Sequence, residues 1–334
     1  MDFSLADILA ARAAIRGHAD DTPFVPSPFM EARTGHDFLL KLENTQSIGA
    51  FKLRGALNAV MSLPADCAGV ICCSTGNHGR GVAYAAAQRG IRAVVCMSEL
   101  VPQAKVDGIR ALGAEVRIGG RSQDAAWAES RRLAEAEALV EISPFDDPAV
   151  IAGQGTIGFE MMAARPDLHT VLVPLSGGGL AAGVAVAVKS VNPRVRVVGV
   201  SMDRGAAMHA SIAAGRPVEI EEVPSLADSL GGGIGLDNRY TFALCREYLD
   251  DIVLVSEEEV YHAMQVLYYE DRIVAEGACV VGLAAVLSGK VAPGGATGTI
   301  VTGRNLDMGI FTRIMCGEDV DLGDRIVKGR PYGA

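Results

Sequence analysis

The segment GVICCSTGNHGRGVAYAAAQRGIRAVVCM, residues 69–97, joins two apolar runs through a glycine-containing turn and an alanine-rich stretch. Short apolar runs bounded by turn residues predict buried strands at 69–73 and 91–97, and the stretch at 76–90 predicts a helix. A strand, a crossover helix and a second strand are the unit from which parallel sheets are built. The sequence therefore predicts an α/β fold.

The same alternation extends along most of the chain. It predicts helices at 102–112, 122–138, 148–164 and 180–190, and strands at 115–118, 171–175, 195–201, 251–255 and 297–302. Capping boxes at Ser4 and Ser256 open further helices, the first of which should end at Gly17, and one more helix is expected after Glu276. Residues 23–28, with three prolines, are expected to form a loop. We predict two α/β lobes, each with a mostly parallel sheet.

Composition limits the class of partner. The chain has 334 residues, of which 49% are hydrophobic, and 30 basic against 40 acidic residues give a net charge of −10. This charge repels nucleic acids and anionic membranes, so a small-molecule substrate is expected. The uncharged stretch Thr170 to Val188 is interrupted by Pro174 and three glycines, so a strand, a turn and a helix are predicted there instead of a membrane span.

Location and redox state follow from the N-terminus and the cysteines. Residues 1–4 show neither a basic stretch followed by an apolar run nor a cleavage site, so a cytoplasmic protein is expected. Seven cysteines without any C-x-x-C pair predict reduced thiols and no zinc ribbon.

A glycine-rich turn follows the strand predicted at 171–175. Ser176, Gly177, Gly178, Gly179 and Leu180 open a helix, where converging backbone N–H groups and the helix dipole would hold a phosphate. The motif is neither a Walker A loop nor G-x-G-x-x-G, and a tight turn without a ligand explains the same pattern.

A second turn, Ser74-Thr75-Gly76-Asn77-His78-Gly79, lies between the strand at 69–73 and its helix. Its hydroxyls, amide, imidazole and helix-end N–H groups suit a carboxylate. Alternatively, Ser74 and Thr75 serve only as helix caps and His78 packs in the core.

Lys52 lies in the largely apolar stretch 47–55. Such a lysine is commonly a surface residue whose stem lies along apolar neighbours. If it is desolvated, its amine pKa falls and it becomes a nucleophile toward a carbonyl cofactor.

Five motifs along the chain resemble those of fold-type-II pyridoxal-phosphate (PLP) enzymes of the serine/threonine dehydratase and serine racemase group. They are Ala50-Phe51-Lys52-x-Arg54-Gly55, Ser74-Thr75-Gly76-Asn77-His78-Gly79, Ser176-Gly177-Gly178-Gly179-Leu180, Glu276-Gly277-Ala278 and Val301-Thr302-Gly303-Arg304-Asn305. The stretches 146–156 and 227–235 are most similar to the hydroxyectoine-utilisation dehydratases. The resemblance implies a tryptophan-synthase-β-like fold, with a large PLP-binding domain at 1–68 and 148–334 and a small nested domain at 69–147.

The resemblance also implies how the cofactor would be held. Lys52 would bind PLP through a Schiff base, Phe51 would flank its ring, and Asn77 would donate to its 3′-oxygen. Residues 176–180 would surround the phosphate. Thr302 would meet the pyridine nitrogen with Glu276 nearby, and a neutral hydroxyl there favours prompt β-elimination over reactions that need a long-lived carbanion.

The implied reaction is dehydration and deamination of a small β-hydroxy amino acid. Residues 74–78 (Ser74, Thr75, Gly76, Asn77 and His78) would bind the substrate carboxylate, and the freed Lys52 amine would take the Cα proton as general base. The substrate would be a hydroxyectoine-derived diamino acid, threonine or serine. An amino-acid racemase, with Thr75 acting on the second face of Cα, and a non-catalytic sensor of a phosphorylated metabolite are the alternatives.

The chain departs from the group at three places. Ala50 replaces a serine, and Arg304 replaces the usual glycine, either altering the preferred substrate charge or filling space. Residues 201–207 lack most of the hard oxygen ligands with which relatives hold a divalent cation, so no metal site is predicted. Members of the group are commonly dimers or tetramers, so a homo-oligomer is expected.

Overall fold

Two sheets with helices on their faces form the framework of the computed structural model, which describes residues 3–74, 76–99, 101 and 103–334. The strands are β1 (Phe24–Pro26), β2 (Phe38–Lys41), β3 (Gly69–Cys73), β4 (Arg92–Met97), β5 (Glu115–Ile118), β6 (Val140–Glu141), β7 (Thr170–Pro174), β8 (Arg196–Met202), β9 (Asp251–Val255), β10 (Thr297–Ile300), β11 (Val320–Asp321) and β12 (Ile326–Val327).

The helices alternate with the strands along most of the chain. They are α1 (Leu5–Ala14), α2 (Pro28–Thr34), α3 (Lys52–Met61), α4 (Asn77–Arg89), α5 (Gln103–Arg110), α6 (Gln123–Ala136), α7 (Pro148–Ala164), α8 (Gly179–Val191), α9 (Ala207–Ala214), α10 (Thr241–Tyr248), α11 (Glu257–Tyr269), α12 (Val281–Leu287) and α13 (Met308–Met315). Both predicted capping boxes are present, at Ser4 with Asp7 and at Ser256 with Glu259.

The larger sheet has the strand order β1-β2-β10-β7-β8-β9, and every neighbouring pair except β1 with β2 is parallel. Successive residues of β7 point to opposite faces: Leu172 joins the core on the side of α11 and α12, whereas Val171 and Val173 join the core with α7 and α8. The smaller sheet, β5-β4-β3-β6, is parallel throughout. The predicted α/β fold with mostly parallel sheets is confirmed.

Helices α7 and α8 pack at backbone distance because glycines line their contact. A Cβ atom at Gly183 of α8 would lie 2.3 Å from the Ile151 carbonyl oxygen of α7, and one at Gly158 would lie 2.8 Å from the Val184 carbonyl oxygen. Such close backbones leave no room for a side chain. This contact supports the helix that begins at the turn Ser176–Gly179.

The structure corrects three predictions about where elements lie or end. Residues 23–28 are not a loop, because 24–26 form β1 and Pro28 occupies the first turn of α2. The first helix ends at Ala14, not at Gly17. The strand predicted at 297–302 ends at Ile300, which frees Thr302 to face a cavity.

The stretch Thr170 to Val188 forms β7, a turn and most of α8, as predicted. Within the described ranges, none of the helices is both long and apolar enough to cross a membrane.

Candidate active site

Three strand-end turns meet at one cavity of about 260 Å³. The turns follow β3, β7 and β10, at the carboxyl ends where open parallel sheets bind ligands. The predicted site residues found in its lining are Phe51, Lys52, Ser74, Gly76, Asn77, His78, Ser176, Gly177, Gly178, Gly179, Leu180, Glu276 and Thr302. Thr75, the remaining predicted site residue, lies outside the described residues.

Lys52 begins α3 and extends its amine into this cavity. Its Nζ atom lies 2.5 Å from the Pro144 carbonyl oxygen, to which it donates, and 5.3 Å from the centre of the Phe51 ring. Burial lowers the pKa of the Lys52 ammonium to about 8, because the charged form loses water without gaining a carboxylate partner. Near neutral pH a substantial fraction of the amine is therefore unprotonated and nucleophilic.

A buried cluster of ion pairs contacts the first turn of α3 through Arg54. Arg54 donates to Glu43 through Nε and Nη2, both at 2.8 Å, and to Glu160 through Nη1 at 2.6 Å. Lys41 donates to the same Glu160 at 2.6 Å. The ion pairs anchor α3 through Arg54, two residues after Lys52.

The turn at 176–180 has the features expected of a phosphate site. No side chain caps the start of α8, so its first N–H groups are free of a side-chain acceptor and face the cavity. Gly178 adopts φ +93°, and a Cβ atom at Gly177 would lie 2.4 Å from the Phe145 ring. Glycine is therefore required at both positions.

Asn77, Ser229 and Asn305 converge on the Glu276 carboxylate, which is buried. Asn77 Nδ2 donates to both carboxylate oxygens at 3.0 and 3.1 Å, Ser229 Oγ donates at 2.8 Å, and the Asn305 backbone N–H donates at 2.8 Å. Burial raises the pKa of Glu276, and these donors offset part of the rise. Asn77 Oδ1 in turn accepts from Asn305 Nδ2 at 2.7 Å.

His78 is neutral in this setting. Its Nε2 atom lies 2.8 Å from the Ile142 carbonyl oxygen and donates to it, while Nδ1 has no partner among the described residues. Burial, assisted by the charge of Lys52, lowers the pKa of His78 to about 3. The imidazole therefore brings no positive charge to a substrate carboxylate. Among the described residues of this turn, the groups left to attract a carboxylate are Ser74 and the N–H groups that begin α4.

The groups that line the cavity fit PLP chemically. It combines an amine with a lowered pKa, a helix start whose N–H groups lack a side-chain cap, and a hydroxyl at Thr302 on the third turn. The amine suits the carbonyl carbon of PLP, the N–H groups suit its phosphate, and the hydroxyl suits its ring nitrogen. The described residues fit the cofactor.

No group of three or more His, Cys, Asp or Glu side chains that could hold a metal ion occurs in the described parts of the chain. In the stretch 201–207, Ser201 is buried in β8. The absence of a divalent-cation site stays a prediction.

A lysine, a glycine-opened helix start and a strand-end hydroxyl around one cavity define a cofactor-dependent α/β enzyme. A family model described as pyridoxal-phosphate dependent enzyme matches residues 15–303, and the chain belongs to that family. Its cofactor is pyridoxal 5′-phosphate.

Related proteins agree over nearly the whole chain. A Sinorhizobium fredii protein provisionally named threonine dehydratase is 54% identical over 319 residues, which cover 95% of this chain and 96% of that protein. The L-threonine ammonia-lyase of Thermotoga maritima is 40% identical over 94% of this chain and 78% of its own length. The solved structure of maize serine racemase superposes with a TM-score of 0.88, at 31% identity and with 94% and 97% of the two chains covered. The predicted family, fold, cofactor and ammonia-lyase class are confirmed.

Several residues in or beside the cavity were not predicted from the sequence. Pro144 and Phe145 carried no recognisable signal, because a carbonyl oxygen and a packing ring have no motif. Ser229 lay inside the stretch 227–235 that supported the resemblance, and Asn305 lay inside the motif that begins at Val301. Both residues lay in recognised motifs, but the sequence did not predict that both would contact Glu276.

Proposed function

We propose that the chain catalyses PLP-dependent β-elimination of water from a small β-hydroxy amino acid, yielding ammonia and, from threonine or serine, a 2-oxo acid. The observation that carries this proposal is the Lys52 amine, desolvated in a cavity between the glycine turn and Thr302. Relatives named threonine dehydratase and L-threonine ammonia-lyase support the reaction class. When bound, PLP supplies a carbonyl for Lys52 and an electron-withdrawing ring that stabilises negative charge on the substrate Cα.

Lys52 has two duties in this proposal. Its unprotonated amine would hold the cofactor, and when free it would take the substrate Cα proton as general base. The Pro144 carbonyl oxygen, 2.5 Å from Nζ, is an acceptor for the ammonium that this transfer produces. The same contact directs Nζ into the cavity.

The first turn of α4 is proposed to bind the substrate carboxylate. Ser74 and Gly76 precede this helix, and its N-cap carries no side-chain hydrogen bond. The backbone N–H groups and the helix dipole therefore supply the attraction, because neutral His78 does not. Asn77 is proposed to donate to the cofactor 3′-oxygen, which requires it to share the amide that now bonds Glu276.

The finer proposal concerns the substrate side chain. Lys52 and Glu276 are the only charged side chains among the described residues that line the cavity. Asp228, next to Ser229 in the wall, adds negative charge that raises the pKa of Glu276, after the larger effect of burial. Once Lys52 is bonded to the cofactor, the charge that remains in the wall is negative. It favours a substrate that carries a second, positively charged amine. We therefore propose a hydroxylated 2,4-diamino acid related to hydroxyectoine, with threonine and serine as the simpler candidates.

Racemisation is the second candidate function. It needs an acid–base group on the other face of Cα, and Thr75, the predicted group, lies outside the described residues. The structural similarity to maize serine racemase supports this alternative at the level of fold and family. The non-catalytic sensor is abandoned because the family and its named relatives are enzymes. The cytoplasmic location, the homo-oligomer and the two-domain boundaries stay predictions.

The test is a coupled assay of ammonia and 2-oxo acid release from L-threonine, L-serine and 3-hydroxylated 2,4-diaminobutyrate derivatives. Lys52→Ala should abolish turnover and the borohydride-sensitive chromophore, whereas Lys328→Ala, a change of an exposed lysine paired with Asp319, should change neither. A chromophore retained by Lys52→Ala contradicts the assignment. Turnover of the diamino acid alone supports the finer proposal, and turnover of threonine or serine alone refutes it.

A further inference from the structure

The thiol of Cys279 lies directly behind the Thr302 hydroxyl. Cys279 ends the short 3₁₀ turn Gly277–Cys279 and is fully buried. Its Sγ atom is 3.1 Å from Thr302 Oγ1, 3.0 Å from the Gly303 amide nitrogen and 2.9 Å from the Gly303 carbonyl oxygen. One sulfur atom thus contacts both Thr302 and Gly303 in the turn after β10.

The thiol carries a single proton to donate. Burial raises the pKa of Cys279 to about 12, helped by the charge of Glu276, so the group stays a thiol at neutral pH. The Gly303 N–H donates to the sulfur, and the S–H can donate either to the Gly303 carbonyl oxygen at 2.9 Å or to Thr302 Oγ1 at 3.1 Å. The Gly303 carbonyl oxygen already accepts from the Glu276 N–H at 3.1 Å. Thr302 Oγ1 has no other hydrogen-bond partner among the described residues, so it is the acceptor with most to gain from the S–H.

We propose that Cys279 is a positioning residue that orients the Thr302 hydroxyl toward the ring nitrogen of the bound cofactor. The hydrogen bonds then run in one direction: from the Gly303 N–H to Sγ, from S–H to Thr302 Oγ1, and from O–H to the ring nitrogen. Bonds aligned in this way polarise one another, which makes Thr302 a better donor. This inference rests on the proposed function, because it needs Thr302 to face that nitrogen.

The Glu276 carboxylate does not compete with Thr302 for the contact with the ring nitrogen. Both oxygens of Glu276 are occupied by donors from Asn77, Ser229 and Asn305. Its lone pairs are therefore already used inside the wall of the cavity, and Glu276 acts on a bound molecule only through its charge. The proton state of the ring nitrogen is then decided by the Thr302 and Cys279 pair.

The chemical consequence is a nitrogen that accepts a hydrogen bond and carries no proton of its own. A neutral ring withdraws less electron density than a protonated one, so negative charge on Cα is relieved by prompt loss of the β-hydroxyl. Without the thiol, the Thr302 hydroxyl is free to rotate and to accept from a protonated nitrogen. Cys279 thereby favours elimination over racemisation.

The test uses holoenzyme loaded with PLP that carries ¹⁵N in its ring, since the ¹⁵N chemical shift reports directly whether the nitrogen is protonated. We expect an unprotonated shift in the wild type and in Cys279→Ser, which keeps a donor. Cys279→Ala should move toward the protonated shift and raise the dissociation constant of PLP about two- to tenfold, the range of one hydrogen bond. Cys96→Ala, which removes a buried thiol in β4, should match the wild type.

Each further outcome has a defined meaning. An unchanged ¹⁵N shift in Cys279→Ala overturns the inference, whereas a wild type that fails to bind PLP overturns the proposed function instead. Cys279→Val, which fills the space without a donor, replaces the alanine variant if that variant does not fold. In a Thr302→Val background the change at Cys279 should have no further effect on the shift, and an equal effect in both backgrounds also refutes the inference.

Discussion

Replacing Arg54 by methionine should destabilise the protein strongly, because it leaves buried carboxylates without their cation. Arg54 is 1% exposed and makes hydrogen bonds to Glu43 and Glu160, and Glu43 is fully buried. Lys41 still neutralises Glu160 at 2.6 Å, so the uncompensated charge falls on Glu43. Removing one partner of a buried ion pair costs about 3–5 kcal/mol, and we expect Arg54→Met to lie in that range.

The assay is urea unfolding of the cofactor-free protein followed by circular dichroism. Arg196→Met is the matched control, because it removes an exposed pair with Asp251 at 2.9 Å and should cost less than about 1 kcal/mol. Adding Glu43→Gln to Arg54→Met removes the orphaned charge and should restore part of the loss. An effect of Arg54→Met no larger than that of the control would refute the reasoning.

The loss caused by Arg54→Met should also depend on pH in a defined direction. Burial alone would raise the pKa of Glu43, but the charge and hydrogen bonds of Arg54 lower it below its ordinary value of 4.5. The contribution of Glu43 to wild-type stability is therefore present above pH 4.5 and is lost as the pH falls through its lowered pKa. In Arg54→Met the orphaned carboxyl is protonated more readily, so the difference from the wild type should shrink from pH 8 to pH 5.

Two more outcomes follow from the geometry. The rate of PLP attachment to cofactor-free protein, measured by stopped-flow absorbance, should rise with pH through about 8 and then level off, because the amine form of Lys52 is the nucleophile; a half-rise near 10.5 would contradict the lowered pKa. Gly183→Ala should cost about 1–3 kcal/mol in urea unfolding, since its Cβ would lie 2.3 Å from the Ile151 carbonyl oxygen. The control Gly233→Ala meets nothing within 4 Å, and equal midpoints for the two variants would count against the close helix contact.

The sequence predicts the repeated strand and helix units well, because each carries its own local signal. Strand β3 and helix α7 have the predicted limits, and both capping boxes form. The site followed from topology: turns after parallel strands share one edge of a sheet, so residues far apart in the chain were expected to meet. The cavity contains every predicted site residue that the structure describes.

What the sequence does not predict depends on remote partners. Strand β2 is a run of four residues that ends in the buried Lys41, and it is completed by pairing with β10 near the other end of the chain. Helix α3 has no side-chain cap, since Phe51 precedes it, so no start signal marked it. The contacts of Lys52 with Pro144 and of Cys279 with Thr302 are likewise set by tertiary packing.

The pairing of β2 with β10 also sets the order of events during protein synthesis. Lys52 leaves the ribosome early, yet the Phe51 N–H has its acceptor only when the Thr302 carbonyl arrives, and Ala50 forms its bridge with Gly303. A nascent chain that stops before β10 can pair β2 only with β1, and it lacks the third wall of the cavity. Cofactor capture must therefore wait for nearly the last part of translation, so truncated products should not sequester PLP in the cell.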